Sequence, residues 1–268
     1  MTESIVQVAI EAARHGGQML LAVQDRPREV TRKGFRDDVT DADYASENAI
    51  IETIRAHFKA QLIVSEENQF AEGIADWEPP DGFWWLIDPL DGTTNFSRGV
   101  PHYCVSVAVL QGRTLIGGAI YDPVREYIFA AERGQGATLN GRPLHVSARA
   151  DLPEAVLEAG LARDPEIRRQ GLAIFARLAT QCRSVRSSGA AALALAYVAA
   201  GWLDGYVHLT LRPWDSAAAG LMIQEAGGRL SLPDGSEWRA RFPPILASNA
   251  ILHEALQREV QQALAGVP

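Results

Sequence analysis

The stretch Trp85–Phe96 reads WLIDPLDGTTNF and places two aspartates, Asp88 and Asp91, directly after a run of apolar residues. Such a run is typical of a buried strand. An ionised carboxylate in that position is costly unless it is paired, and a second carboxylate three residues away adds repulsion. A divalent cation removes both costs, and an all-oxygen ligand set favours Mg²⁺, Mn²⁺ or Ca²⁺ over zinc. The stretch therefore predicts a metal site at the end of a strand.

The small residues that follow indicate an anion site beside the metal. Gly92 lets the backbone approach a ligand closely. If Thr93 opens a helix, the first amides of that helix can hold an anion. Taken singly, Asp88 and Asp91 have simpler interpretations, a turn and a helix cap, but the complete string favours a metal site with a phosphate cradle.

Composition narrows the class of protein. The chain has 268 residues, a net charge of −8 and no basic stripe, so a nucleic-acid partner is not expected. Cys104 and Cys182 match no zinc or redox motif, which indicates free thiols in a reducing compartment. The first residues predict an amphipathic helix rather than a signal peptide, and no apolar run reaches the ~18 residues that span a bilayer. We expect a cytoplasmic protein without membrane contact.

The hydrophobic pattern predicts an α/β chain with two halves, 1–145 and 146–268, packed as one catalytic unit. The first half has two amphipathic helices joined by a loop over residues 25–43, and then strand-like runs. The second half alternates strands and helices, and Ser187 or Ser188 is expected to cap one of these helices.

Four acidic sites share one kind of position, because each carboxylate follows an apolar strand or opens a helix or loop. They are Asp43, Glu66, the pair Asp88 and Asp91, and Asp215. Rigid elements hold ligand groups at such points while loops leave access. Haloacid-dehalogenase-type phosphatases place D-x-D-G-T after a strand, but this chain has one more residue between its aspartates. Their nucleophile and acid therefore cannot be laid onto Asp88 and Asp91.

WLIDPLDGTTNF resembles the D-P-[IL]-D-G-T-x-N-F signature of the inositol monophosphatase family. The segment 214–228 is similar to the second signature of that family, W-D-x-A-A-x-x-x-[IVL]-x-E-A-G-G. SEEN at 65–68 and DVTDAD at 38–43 are similar to its E-E-[ST] and D-x-V-T-x-x-D motifs. The four motifs follow in order along almost the whole chain. The resemblance implies a layered αβαβα sandwich with two sheets and flanking helices, and metal-dependent hydrolysis of a phosphate monoester by a metal-activated water.

The resemblance also implies a role for each matching residue. Two to three Mg²⁺ ions, for which Mn²⁺ could substitute, would be held by Glu66, Asp88, the Leu90 carbonyl, Asp91 and Asp215. Thr93, backed by Asp43, would activate the attacking water, with Glu66 as a further catalytic residue. The amides of Gly92 and Thr93 would bind the phosphate. A threonine hydroxyl alone is too weak a base, which explains the carboxylate behind it. The family also commonly forms homodimers.

Three further positions stay open at this point. A family lysine near the metal-bound water aligns with Lys33 or with Arg32, and a solvated loop charge is the alternative. Glu67 is expected to face away from Glu66, as a solvated residue or as one that touches a third metal through water. His102 either lines the pocket or is a loop histidine.

The substrate-selecting region departs from the family pattern. Inositol-specific members typically have G-T-A where this chain has a Gly-Ala-Ala, and a glutamate at the position that aligns with His208. A histidine can hydrogen-bond a hydroxyl, or meet a second anionic group if protonated, and a partly buried structural histidine is the alternative. The residues expected to contact the substrate are Asp91, Gly189, Ala190, Ala191 and His208.

These motifs favour an Mg²⁺-dependent phosphatase for a small phosphorylated metabolite, with inositol 1-phosphate first among the candidates. Because His208 replaces the glutamate, histidinol phosphate or another small phosphate ester is the alternative. A regulatory binding protein without turnover is a third hypothesis, which the complete set of predicted metal ligands disfavours.

Overall fold

The computed structural model describes residues 4–24, 30–34, 37–67, 82–239 and 244–267, without the side chains of 30–34 and 37–39. Within these residues five layers alternate, with helices outside, between and outside two β-sheets. The predicted αβαβα sandwich is therefore confirmed. The helices are α1 Ile5–Val23, α2 Asp41–His57, α3 Thr93–Ser97, α4 Pro165–Gln181, α5 Ala191–Ala199, α6 Pro213–Glu225 and α7 His253–Ala265.

A two-stranded antiparallel hairpin precedes the sheets, formed by β1 (Val30–Gly34) and β2 (Asp37–Thr40). The prediction of a loop over 25–43 is wrong for these residues. β-branched residues pair across the hairpin, Val30 with Thr40 and Thr31 with Val39, and such residues favour extended backbone. The side chains of Arg32 and Lys33 lie outside the described residues.

The larger sheet has seven strands in chain order: β3 Ile63–Ser65, β4 Phe83–Asp91, β5 Cys104–Gln111, β6 Thr114–Asp122, β7 Tyr127–Glu132, β8 Gly136–Leu139 and β9 Arg142–Pro143. Among the described strands of this sheet, only β3 and β4 pair in parallel. Its central strands are mostly apolar, because helices cover both faces. On β6 a Cβ at Gly117 would lie 2.6 Å from Val6 of α1, and one at Gly118 would lie 3.0 Å from Ala218 of α6.

The smaller sheet has five strands: β10 Val156–Ala159, β11 Ser184–Arg186, β12 Gly205–His208, β13 Arg229–Ser231 and β14 Ile245–Ser248. Their order is β11-β10-β12-β14-β13. Strand β10 is parallel to both β11 and β12, so the carboxyl ends of these three strands meet at one edge. Helices α5 and α6 lie between the two sheets, and α4 and α7 cover the outer face. This arrangement confirms the predicted strand–helix alternation of the second half.

The central hydrophobic core draws on both predicted halves, with Phe129 from the first and Met222 from the second. The boundary at residue 145 stays a prediction. None of the helices in the described part of the chain is long and apolar enough to cross a membrane.

His253 opens α7 and gives the fold a pH-sensitive contact. Its two ring nitrogens lie 2.8 Å from the hydroxyls of Ser231 and Ser248, and the side chain is fully buried. Burial, and then the charge of Arg229, lower the pKa of His253 to about 4, below its ordinary 6.5. Between these values the unfolded chain binds the proton more tightly, so stability present above pH 6.5 is lost as the pH falls towards 4.

We therefore expect the free energy of unfolding to fall less steeply between pH 6.5 and pH 4 in His253→Gln than in the unaltered protein. Chemical denaturation at a series of pH values measures the slope. His145→Gln, at an exposed histidine, is the control and should keep the original slope. Equal slopes in all three proteins would contradict the assignment.

Candidate metal and phosphate site

A β-bulge at the end of β4 sets the geometry of the site. Asp88 pairs with Ser106 and Asp91 with Cys104, so β4 carries one residue more than β5 across this interval. Pro89 lies in the bulge, where its missing N–H costs no ladder bond. The Pro89 carbonyl accepts a hydrogen bond of 2.7 Å from Ser46 of α2, and the Leu90 amide donates to Asp88 Oδ1. Both bonds fix the turn between the two aspartates.

Three of the predicted ligands lie together. Glu66, Asp88 and Asp215 each offer a carboxylate oxygen, and these oxygens lie within 4.8 Å of one another. Glu66 follows β3 and is therefore beside the end of the parallel strand β4. Asp215 lies in the first turn of α6, where its Oδ2 accepts a hydrogen bond of 2.8 Å from the Arg212 amide. Two sheet strands and one helix thus converge on one cluster.

The carboxylates of this cluster all carry the same sign of charge, so they repel one another. Burial, and then the charges of Glu66, Asp91 and Asp215, raise the pKa of Asp88 well above its usual range. Burial also raises the pKa of Asp215, and burial with the charge of Asp215 raises the pKa of Asp91 to about 7. Carboxylates that resist ionisation together, with oxygen as the only donor type, fit a hard divalent cation.

Asp91 lies beside the triplet and also accepts hydrogen bonds from the start of α5. Its Oδ1 and Oδ2 accept hydrogen bonds of 3.1 and 2.7 Å from the amides of Ala191 and Ala192, at the start of α5. The expected cap by Ser187 or Ser188 is wrong. The residue before α5 is Ala190, and its start is held by a carboxylate one hundred residues earlier in the chain. Asp91 therefore does cap a helix, but it does so across the cavity and next to the other acids.

Gly92 links β4 to α3 in a conformation that suits glycine. Its φ is +96°, and a Cβ there would lie 3.1 Å from the His102 carbonyl oxygen and 3.3 Å from the Ala190 Cβ. The predicted helix start at Thr93 is confirmed. Asn95 of this helix donates to the carbonyls of His102 and Ser188, at 2.8 and 2.9 Å.

The Thr93 hydroxyl faces two acceptors. Its Oγ1 lies 3.1 Å from the Leu90 carbonyl oxygen and 3.4 Å from Asp43 Oδ1. Asp43 is buried, and its other oxygen, Oδ2, accepts from the amide and the hydroxyl of Thr40 at the start of α2. Because both neighbours of the Thr93 hydroxyl are acceptors, its single proton is donated to one or the other of them. Its lone pairs are left to accept a hydrogen bond from a water molecule in the cavity.

The four acidic residues Glu66, Asp88, Asp91 and Asp215 line a cavity of about 930 Å³. The predicted substrate residues Gly189, Ala190, Ala191 and His208 all line it. His208 is nine-tenths buried, and burial with the charge of Arg163 lowers its pKa to about 4. This pKa favours a neutral His208 at pH 7, which can hydrogen-bond a hydroxyl, over a charged one that meets an anion.

Sequence reasoning missed several residues of this cavity. Glu158, Gly160 and Tyr206 line it beside His208. Glu158 lies in the apolar run AVLEAG, so it follows strand-like apolar residues as Asp88 does. The same pattern could have identified it. His102 is half-buried against Tyr197, with ring centroids 6.1 Å apart, and neither it nor Glu67 is among the cavity residues.

Comparison with known proteins identifies the family of this chain. The inositol monophosphatase family model matches residues 1–265. Nus factor SuhB of Escherichia coli strain K12 is 38% identical over 264 residues, which cover 97% of each chain. A solved structure of extragenic suppressor protein suhB from Bartonella henselae is 32% identical, with a TM-score of 0.89 over 97% of this chain and 99% of the other. The Thermotoga maritima IMPase is 31% identical, with a TM-score of 0.88 over 98% of each chain.

The chain belongs to the inositol monophosphatase family. Proteins of this family bind phosphorylated small molecules and depend on metal ions, and the acidic cluster of this chain could hold such an ion.

Proposed function

We propose that this protein is an Mg²⁺-dependent phosphatase for a small polyol phosphate, with inositol 1-phosphate as the first candidate substrate. The observation that carries the proposal is the position of Thr93 on the same cavity as the triplet Glu66, Asp88 and Asp215, with the buried Asp43 in contact with the Thr93 hydroxyl. A proton-relaying hydroxyl beside a cation site suits the hydrolysis of a phosphate monoester by water.

The proposed metal ligands are Glu66, Asp88, Asp91, Asp215 and the Leu90 carbonyl. These groups would hold a divalent ion, which when bound would stabilise the negative charge that develops on the phosphoryl oxygens and on the leaving oxygen. Mn²⁺ is expected to substitute, because the same all-oxygen donor set suits it.

The residues of the chain supply the proton chemistry and the phosphate contacts. Thr93 Oγ1 accepts a proton from the attacking water and passes its own to Asp43 Oδ1. Glu66, a member of the acidic triplet, orients that water. The amides of Gly92 and Thr93 bind the phosphate, at the turn that the positive φ of Gly92 allows. Water is the nucleophile, so no phosphorylated enzyme forms.

Because of His208, two groups of substrates are candidates, and they differ in the alcohol that leaves. Inositol 1-phosphate is favoured by the family, while histidinol phosphate and other small esters are the alternatives, because a neutral histidine stands where inositol-specific members typically have glutamate. The reaction class is the same for both.

Phosphate release with and without Mg²⁺ tests the proposal. The panel is inositol 1-phosphate, histidinol phosphate, 3′-phosphoadenosine 5′-phosphate, fructose 1,6-bisphosphate and glycerol 2-phosphate. We expect Mg²⁺-dependent release, fastest from inositol 1-phosphate. A faster rate with histidinol phosphate would assign the alternative, and no Mg²⁺-dependent release from any ester would contradict the proposal.

The name of the bacterial relatives supports a second candidate role. They are called Nus factor SuhB, which designates a factor rather than a hydrolase. We propose as this second role that the chain also binds a macromolecule. The net charge of −8 favours a protein partner over a nucleic acid. Fluorescence anisotropy with labelled RNA and DNA should detect no binding at 0.15 M salt, a concentration near that of the cell.

The resemblance to the family also suggests an oligomeric state, and the sequence suggests a cellular compartment. We propose a cytoplasmic homodimer, and sedimentation equilibrium would test the oligomeric state.

A further inference from the structure

Ser106 lies on β5 directly opposite Asp88 of β4. Residues that pair across two antiparallel strands point to the same face of the sheet. Leu86 and Ala108, which share this face, pack in the core that contains α6. Ser106 is buried, and its hydroxyl donates a hydrogen bond of 3.1 Å to the carbonyl oxygen of Trp214. This bond joins the larger sheet to the first turn of α6.

Trp214 precedes Asp215, which is the only proposed metal ligand from the second half of the chain. The Arg212 amide fixes Asp215 Oδ2 to the start of α6, so this carboxylate follows any movement of the helix start. Carboxylate oxygens of Asp88 and Asp215 lie within 4.8 Å of each other. Groups that bind one ion must be held within about 0.5 Å of the required geometry. The metal site therefore depends on where α6 begins relative to β4 and β5.

The rest of α6 is fixed on the larger sheet by two further contacts. In its middle the helix packs so closely on β6 that a Cβ at Gly118 would lie 3.0 Å from a Cβ of the helix. At its end Glu225 accepts hydrogen bonds of 2.9 Å from the amides of Gly134 and Gly136, in the hairpin of β7 and β8. Ser106 supplies the contact at the end of the helix that carries the metal ligand.

We infer that Ser106 is a positioning residue for the proposed metal site. Its hydroxyl holds the start of α6 against β5 and so sets the distance between the carboxylates of Asp88 and Asp215. It acts through the Trp214 carbonyl rather than by contact with the ion. The inference rests on the metal ligands of the proposed function and adds a residue that keeps their spacing. Loss of such an outer partner typically weakens metal binding by about 10- to 100-fold.

A matched pair of substitutions separates positioning of the metal ligands from a general structural role. Ser106→Ala removes the hydroxyl that bonds the start of α6. Ser248→Ala is the control, because Ser248 is also a buried strand serine, and its hydroxyl lies 2.8 Å from the ring of His253 at the start of α7. The described lining of the cavity includes neither Ser248 nor His253. Ser106→Thr keeps the hydroxyl and tests for rescue.

Binding of Mn²⁺ to chelator-treated protein, followed by the electron paramagnetic resonance signal of free Mn²⁺, measures metal affinity without turnover. We expect the dissociation constant to rise about tenfold in Ser106→Ala and to stay within about threefold in Ser248→Ala and in Ser106→Thr. The Mg²⁺ concentration that gives half-maximal phosphate release should rise in Ser106→Ala by a similar factor. Melting temperatures without metal should fall to a similar extent in the two alanine variants, because each loses one buried hydrogen bond.

An unchanged dissociation constant in Ser106→Ala, or an equal rise in Ser248→Ala, overturns the inference and leaves the metal site standing. A folded Ser106→Thr protein that binds Mn²⁺ as weakly as Ser106→Ala overturns it too, because the hydroxyl would then have no part. If Ser106→Thr does not fold, the two alanine variants decide alone. Mn²⁺ binding that weakens in Ser106→Ala, without Mg²⁺-dependent release from any ester, keeps the inference and overturns the proposed function. No Mn²⁺ binding by the unaltered protein overturns the proposed metal ligands and the inference with them.

Discussion

Replacement of Asp91 by asparagine is expected to lower kcat by several orders of magnitude while the protein stays folded. The change removes one negative charge from the proposed metal site and keeps the size of the side chain. The oxygen of asparagine can still accept one of the two amide hydrogen bonds that start α5. Because burial and Asp215 raise the pKa of Asp91 to about 7, its charged form is unfavourable without metal. At pH 8 the metal-free variant should therefore be at least as stable as the unaltered protein.

Two measurements check this prediction. Phosphate release gives kcat, and thermal unfolding with and without Mg²⁺ gives the stabilisation that metal binding supplies, which should shrink in Asp91→Asn. Asp151→Asn, at an exposed aspartate, is the matched control and should change neither quantity. A folded Asp91→Asn protein with near-normal activity would exclude Asp91 from the metal site.

The local part of this site could be predicted because its residues are neighbours in sequence. Apolar residues that run into Asp88 predict the strand, and Gly92 followed by Thr93 predicts the turn into a helix. The structure adds the β-bulge between Asp88 and Asp91, which depends on the pairing partner of β4. The sequence shows Pro89, but the bulge depends on how β4 pairs with β5, which the sequence pattern does not show.

The remote part of the site could not be predicted, since it depends on how the two sheets face each other. The cap of α5 by Asp91 joins residues one hundred positions apart. Local reasoning chose Ser187 or Ser188 instead, and the amide and the hydroxyl of Ser188 both donate to Glu158. The neutrality of His208 has the same origin, because burial among tertiary neighbours lowers its pKa.

Replacement of Thr93 by valine is the second large effect that we expect, a fall in kcat of about 10²- to 10⁴-fold with little change in KM. Valine has the shape of threonine without the hydroxyl, so the relay from water to Asp43 is lost while the cavity keeps its form. Asp43→Asn should also lower kcat, and it should reduce stability by about 1 kcal/mol because Asp43 also caps α2 through Thr40.

The double variant distinguishes a relay from two independent groups. If Thr93 and Asp43 act as one unit, Thr93→Val with Asp43→Asn should be about as slow as Thr93→Val alone, because the relay is already broken. Multiplied losses would mean that Asp43 acts on the reaction by another route, and the 3.4 Å contact between Thr93 Oγ1 and Asp43 Oδ1 would then have no part in catalysis. Thr114→Val, at an exposed threonine that opens β6, is the control and should keep the original kcat.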